Sequence, residues 1–194
     1  MILFPGTPSK APMHAFQILL TPLAACLLLS GCLMNSTRPL PTGGTPSPWR
    51  AVVVYGMGVE GVWDAQEMGV QLDEYNLADQ VTAGGCWFYN RTEASIPSVP
   101  AAVRYVAFNV PAGSYTYKTG MPSMDNTPTA FIAPPGKVVY IGDFVYTREN
   151  HVVLRRDLAA FERARKQALP DLKGEVLLAE TRVVERPRFF LCGP

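Results

Sequence analysis

The residues of this chain whose types could do chemistry are mostly carboxylates. Asp64, Glu67, Asp73, Glu74, Asp125 and Asp143 are available, and two of them held close together would make the acid–base pair that many hydrolases use. Their spacing selects no two of the six. Asp143, in Ile141-Gly142-Asp143-Phe144, reads as a turn residue. His151 is the one histidine beyond the N-terminal segment and opens the strand-like HVVLRR, so it reads as a structural or surface side chain. One imidazole and two cysteines expected to pair cannot assemble a zinc site of usual ligand type, so no metal and no cofactor are expected. The chain has neither a G-x-S-x-G nucleophile elbow nor a C-x-x-C redox pair.

One glycine pattern needs separate weighing. Gly56-Met57-Gly58-Val59-Glu60-Gly61 satisfies G-x-G-x-x-G after the strand-like AVVVY, and Asp73 and Glu74 lie where a ribose-binding acid would be sought. A glycine loop that cradles phosphate must open a helix. The following VEGVWDAQEMG is barely long enough for one and shows no apolar stripe. The rest of the chain does not alternate strands with helices, as a doubly wound sheet would. These glycines therefore read as a turn or an irregular strand end.

The N-terminal segment carries a different kind of chemistry. Residues 15–29 are apolar but include Gln17, Thr21 and Pro22, and the run is shorter than the roughly 18 residues of a candidate spanning helix. Its length fits the apolar region of an export signal, with Lys10 on its N-terminal side. If translation starts at Met13, only His14 remains on that side, and the export reading holds for either start. The run ends in Leu29-Ser30-Gly31-Cys32. This tetrapeptide resembles the lipobox of bacterial lipoproteins: leucine, two small residues, then cysteine. The resemblance implies cleavage between Gly31 and Cys32, a diacylglycerol on the Cys32 thiol and acylation of the freed amine. Such chains hold a protein at a bilayer with about 0.8 kcal/mol per buried methylene. Residues 1–31 would then leave as a signal peptide. Leu33, and no aspartate, follows the anchor, which points to the outer membrane with the protein facing the periplasm.

Residues 33–49 contain four prolines and two glycines without an apolar period. With the lipidated cysteine, residues 32–48 read as a flexible linker, and residues 49–194 as one globular domain of ordinary size. Net charge is +1, which with export argues against nucleic acid as a partner. The charge is unevenly spread. Residues 60–93 hold seven acids and only Arg91 as a cation, whereas residues 148–188 hold ten Lys or Arg against seven acids. Two solvated faces of opposite sign explain this, as would a basic half that meets anionic headgroups or envelope polymers. Cys86 and Cys192 are the thiols left after processing, and outside the cytoplasm they are expected to form a disulfide. A catalytic thiol would need an activating partner, and the sequence marks none.

The domain reads as mainly β. RAVVVYGM, GVQLDEY, CWFYNRT, VRYVAFNV, SYTY, PTAFIA, KVVYIGDFVYT, HVVLRR and VLLAETRVVE are Val- and aromatic-rich runs separated by Gly, Pro and Asn. One segment, DLAAFERARKQALP, reads as a helix, with Asp157 as its N-cap and Pro170 as its stop. The expected fold is an antiparallel β-sandwich or curled sheet with this helix, in the C-terminal half, packed on it. VPAGSYTY followed by FIAPPGKVVYIGDF, within residues 108–146, is similar to segments of uncharacterised bacterial lipoproteins and exported β-domains. Related turn–strand patterns occur in transthyretin-like and carboxypeptidase-regulatory-like sandwiches. The likeness lies in turn chemistry; it implies an exported β-sandwich and carries over no catalytic residue.

Two functions follow. The first is a lipid-anchored, non-catalytic envelope module that binds another envelope protein or a glycan, with Tyr115, Tyr117, Tyr140 and Tyr146 either on a binding face or in the core. The second is an exported hydrolase that uses a pair of the carboxylates above.

Overall fold

A computed structural model of the chain describes residues 34–40, 44–120 and 127–188. Gly31, Cys32, Asp125, Cys192 and the apolar leader lie outside the described residues. The architecture is mainly β, with two six-stranded sheets, one of them strongly curled, and a single described helix in the C-terminal half.

The first sheet is built on two strands that are apolar on both faces. β2 (Arg50–Val59) and β9 (Val138–Tyr146) pair in parallel at its centre. β6 (Ala101–Pro111) flanks β2, and the two-residue β1 (Arg38–Pro39) lies beyond β6. On the far side of β9, β10 (Val152–Arg155) pairs antiparallel with its second half and β11 (Val176–Leu178) parallel with its first half. The sheet is thus mixed where an antiparallel one was expected. The continuous Val-Val-Val and Val-Val-Tyr-Ile runs follow from burial on both sides. Val53, Tyr55, Met57, Ile141, Phe144 and Tyr146 face the second sheet, while Val52, Val54, Val138 and Tyr140 face the helix.

The second sheet runs β12 (Thr181–Val183), β8 (Thr129–Ala133), β7 (Gly113–Lys118), β3 (Glu67–Asn76) and β4 (Val81–Thr82), with β5 (Arg91–Pro97) also on β3. Its strands alternate as period two requires. Met68, Val70 and Leu72 of β3 point into the core, whereas Gln71 and Asp73 point outward. Helix α1 (Leu158–Ala168) begins as its sequence predicts, with the Asp157 carboxylate accepting from Ala160 N at 2.9 Å. Its buried Phe161 stacks on Tyr140, ring centroids 4.3 Å apart.

Several local expectations need correction. Gly56 and Gly58 are interior to β2 and do not form a turn, and the strand is irregular there because its register shifts against both neighbours. CWFYNRT is a strand only from Arg91; residues 84–88 close a tight turn in which Gly85 N donates to Phe88 O at 2.7 Å. VLLAETRVVE is not one strand. It changes sheets at Ala179–Glu180, so that β11 joins the first sheet and β12 the second. Part of the expected spacer is fixed to the body. Met34 N donates to Trp87 O (2.9 Å), Tyr89 N donates to Met34 O (3.1 Å), and Arg38–Pro39 pairs with Phe108 and Asn109 of β6. Proline content there prevents a helix, but it does not prevent an edge strand whose N–H side faces out.

Candidate functional site

The buried Asp73 and the half-buried Asp143 lie on the outer faces of different sheets, with the core between them. Asp73 is 1% exposed at the outward side of β3. β5 and β7 bring Arg91 and Lys118 alongside it: Arg91 Nε donates at 2.9 Å to Oδ1 and Lys118 Nζ at 3.0 Å to Oδ2. Tyr89 OH donates at 2.7 Å and Gln71 Nε2 at 2.7 and 2.9 Å. Burial pushes the carboxyl up, but hydrogen bonds from Tyr89 and Lys118, the Lys118 charge and the Arg91 bond outweigh it. The group stays ionised below the ordinary carboxylate range. Burial and the Asp73 contact push Tyr89 up to about 12. Arg91 also lies 4.6 Å over the Tyr89 ring and donates to its hydroxyl at 2.6 Å. With its lone pairs occupied, Asp73 has no capacity to move a proton. It ties β3, β5, β7 and the 84–90 loop together.

Asp143 sits in the interior of β9, not in a turn. Gly142 before it has φ +141°, a conformation that L side chains rarely adopt, and the β2–β9 register shifts beside it. That irregularity brings Tyr140 and Asp143 to the same outer face. Tyr140 OH donates to Oδ1 at 2.7 Å and Tyr105 OH contacts Oδ2 at 3.4 Å. Burial raises the Asp143 pKa, and the two phenols and the Arg155 charge oppose this only in part. Tyr105 is itself pushed up to about 12, by burial first and then by the Asp143 charge. Asp73 and Asp143 are thus shifted in opposite directions, and the environment of Asp143 favours the protonated form.

An open cleft of about 460 Å³ adjoins this cluster, between β6 and the C-terminal end of α1. Pro39, Leu40, Tyr105, Ala107, Leu169 and Leu172 line it, and its wall is mostly apolar. A smaller hollow of about 290 Å³ opens on the second sheet among Glu67, Gln71, Glu93, Lys118 and Thr119.

The other sequence candidates separate. Asp64 and Glu67 are exposed, and Glu74 accepts from Asn90 Nδ2 at 2.6 Å. His151 is in the β9–β10 hairpin, its backbone carbonyl bonded to Thr147 N. Tyr115 and Tyr146 fill the inter-sheet core, Tyr117 packs against it, and Tyr140 lies under α1, so these four form no common face. The Asp73 network escaped the sequence reading, although Gln71 and Asp73 at period two in EMGVQLDEYN were a signal that this face carries polar groups. No family model, no curated protein and no solved structure matches this chain.

Proposed function

We propose that the chain is a lipid-anchored protein of the cell envelope, held at the outer membrane through Cys32. Its β-domain binds another envelope protein and does no chemistry of its own. The observation that carries this reading is the apolar cleft between β6 and α1, wide enough for one or two aliphatic or aromatic side chains of a partner. Apolar walls favour a protein segment over a glycan. The lipobox resemblance of Leu29-Ser30-Gly31-Cys32 supports the anchor, and it entails a location where a Cys86–Cys192 disulfide would persist. Thr82 N donates to Arg188 O at 3.3 Å, four residues before each cysteine, which supports that pairing.

The hydrolase reading has one feature in its favour: the raised Asp143 carboxyl touches Tyr105, which lines the cleft. The carboxylate of the cleft wall, Asp171, is exposed in the segment that follows α1. Asp157, whose charge acts on Asp143, is engaged as the N-cap of α1.

A photoreactive residue placed at the exposed Ala168, in cells making the lipidated protein, tests the binding reading. One dominant envelope protein joined from position 168, and absent from a control at Val99, supports it. Adducts limited to cell-wall fragments, or none, would sink it and move the search to glycans and substrates.

A further inference from the structure

Residues 33–49 read as a tether that would let the domain work away from the bilayer. The structure removes most of that slack. Met34 is bonded in both directions to the 87–89 segment, through Trp87 O at 2.9 Å and Tyr89 N at 3.1 Å. The next residues are fastened as well. Asn35 Nδ2 donates to Arg91 O (2.7 Å), Thr37 Oγ1 donates to the same carbonyl, and Ser36 gives both its N–H (3.0 Å) and its hydroxyl (2.8 Å) to Asn90 Oδ1. Arg50 Nη2 donates to Ser36 O at 2.7 Å from the start of β2. Asn90 is itself buried and braced on Glu74, and Tyr89 is braced on Asp73. A slack tether needs none of these bonds.

Only Leu33 stands between Met34 and Cys32. Two Cα steps span no more than about 7–8 Å, whatever conformation they take. The interfacial layer of a bilayer is itself roughly 5–8 Å deep on each side of the hydrocarbon. If Cys32 carries acyl chains in that bilayer, the surface around Met34 has to meet the headgroups.

That surface has the composition the interface selects. Met34 is 63% exposed, Trp87 68% and Phe88 41%, with Trp87 at the turn of residues 84–88. Trp49, 83% exposed, immediately precedes the Arg50 that bonds Ser36. Every exposed large aromatic side chain among the described residues is thus within three residues of this knot of hydrogen bonds. The other exposed large hydrophobic side chains among the described residues, Val62, Val99, Leu178 and Val183, are aliphatic. Aromatic rings that would be costly in water are favoured at headgroup level, where tryptophan is enriched.

We propose that Met34, Trp87 and Phe88 form a membrane-seating surface that enters the headgroup layer beside the acylated Cys32 and fixes the domain's orientation on the bilayer. The proposal rests on the lipoprotein reading of Cys32. The seating is apolar, so salt leaves it unchanged, unlike attachment through the basic half of the chain. It also gives the Asp73 network a purpose: Asp73 stiffens the loop that carries Trp87, through Tyr89 and Arg91.

The test uses the full-length, processed protein in vesicles of phosphatidylethanolamine with a minority of phosphatidylglycerol, part of the lipid brominated along its acyl chains. Tryptophan emission should be quenched, and Trp87→Phe should lose most of that quenching while still floating with the vesicles. Trp49→Phe should keep the Trp87 share. Both substitutions are at exposed positions, and circular dichroism confirms that each variant is folded. Quenching unchanged by Trp87→Phe, or absent from protein that floats and carries the acyl mass, overturns the seating and leaves the anchor standing. An intact mass without acyl groups removes the anchor instead. In that case Trp87-dependent quenching would still support the surface, and its absence would end both readings.

Discussion

Asp143 lies directly over Gly56. A Cβ added at that glycine would meet Asp143 Oδ1 well inside contact distance, stand 2.9 Å from its Cγ and come 2.5 Å from Val103 Cγ1. The carboxylate cannot swing away without leaving Tyr140, which is 2.7 Å from Oδ1. Gly56 therefore leaves room for the Asp143 carboxylate and for Val103. Gly56→Ala should cost about 1–3 kcal/mol, as overpacking typically does. In an Asp143→Ala background the same substitution should cost distinctly less, because one of the two obstacles is gone. Urea unfolding of the four proteins of this cycle measures the coupling. An equal cost in both backgrounds would place the whole strain on Val103.

Asp73 and Asp143 should respond to acid with opposite signs. The Asp73 pKa is lowered by folding, so its contribution to stability is present above the unfolded value near 4 and is lost as pH falls through the folded value. The Asp143 pKa is raised, so its protonated form favours the fold; that contribution is present below the unfolded value and is lost as pH rises through the folded one. Asp73→Asn should therefore flatten the acid limb of the stability curve, at a cost of about 2–3 kcal/mol at neutral pH for leaving Arg91 and Lys118 without their carboxylate. Asp143→Asn should be close to neutral or stabilising at pH 7, since the amide oxygen still accepts from Tyr140. Denaturant midpoints at several pH values between acid and neutral check both, and a parallel pH response of the two variants would refute the assignment.

How much of this was legible in the sequence depends on the range of the interaction. Period-two burial in Val106, Phe108 and Val110, the all-apolar KVVYIG run and the Asp157 cap are local signals, and the strands and helix formed where they pointed. The sheet change at Ala179 left no local mark, because β11 and β12 are each only three residues long and are defined by their partners Val138–Tyr140 and Thr129–Phe131. Asp73 could be placed on an outward face from its spacing, but Arg91 and Lys118 are 18 and 45 residues away and meet it only through strand pairing. The fastening of residues 34–40 was hidden for a related reason. Proline and glycine content reports that a segment cannot fold alone; it is silent on whether a finished sandwich offers that segment an edge.

Asn90 is the residue on which that fastening turns. It is 1% exposed, accepts two bonds from Ser36 and donates one to Glu74. Asn90→Ala should destabilise the domain by about 1–3 kcal/mol, since it leaves partly buried donors without their acceptor. Its sharper effect should be local. Amide hydrogen exchange of residues 34–38 should accelerate far more than that of β2 or β9. Uniform acceleration across both sheets would mean that the 34–40 segment is integral to the core and not a separately released strap.

The proposed lipidation of Cys32 gives a prediction that needs no fold at all. Cys32→Ala should abolish labelling by radioactive palmitate and leave the leader uncleaved by the lipoprotein route, whereas Cys26→Ala should leave both intact. The contrast matters because both cysteines lie in the same N-terminal stretch, and only Cys32 follows Leu29-Ser30-Gly31. Labelling that survives Cys32→Ala would end the anchor reading.

The proposed Cys86–Cys192 pairing is supported by where the described part of the C-terminal segment lies. Val184 N donates to Pro128 O (2.9 Å), Glu185 N to Gln80 Oε1 (2.9 Å), Tyr75 OH to Glu185 O (3.2 Å) and Thr82 N to Arg188 O (3.3 Å), so the chain from Val184 to Arg188 is led along the second sheet toward the loop that holds Cys86. From Thr82 to Cys86 and from Arg188 to Cys192 are four residues each, a spacing compatible with a bridge. Such a bridge closes a loop of about a hundred residues, worth about 4–5 kcal/mol in the chain-entropy description. Native protein should therefore resist thiol labelling at both positions until it is unfolded with reductant, and Cys192→Ser should lower the denaturant midpoint while releasing Cys86 to the label. Two thiols reactive in the native, unreduced protein would show that the C-terminal segment is held by its hydrogen bonds alone.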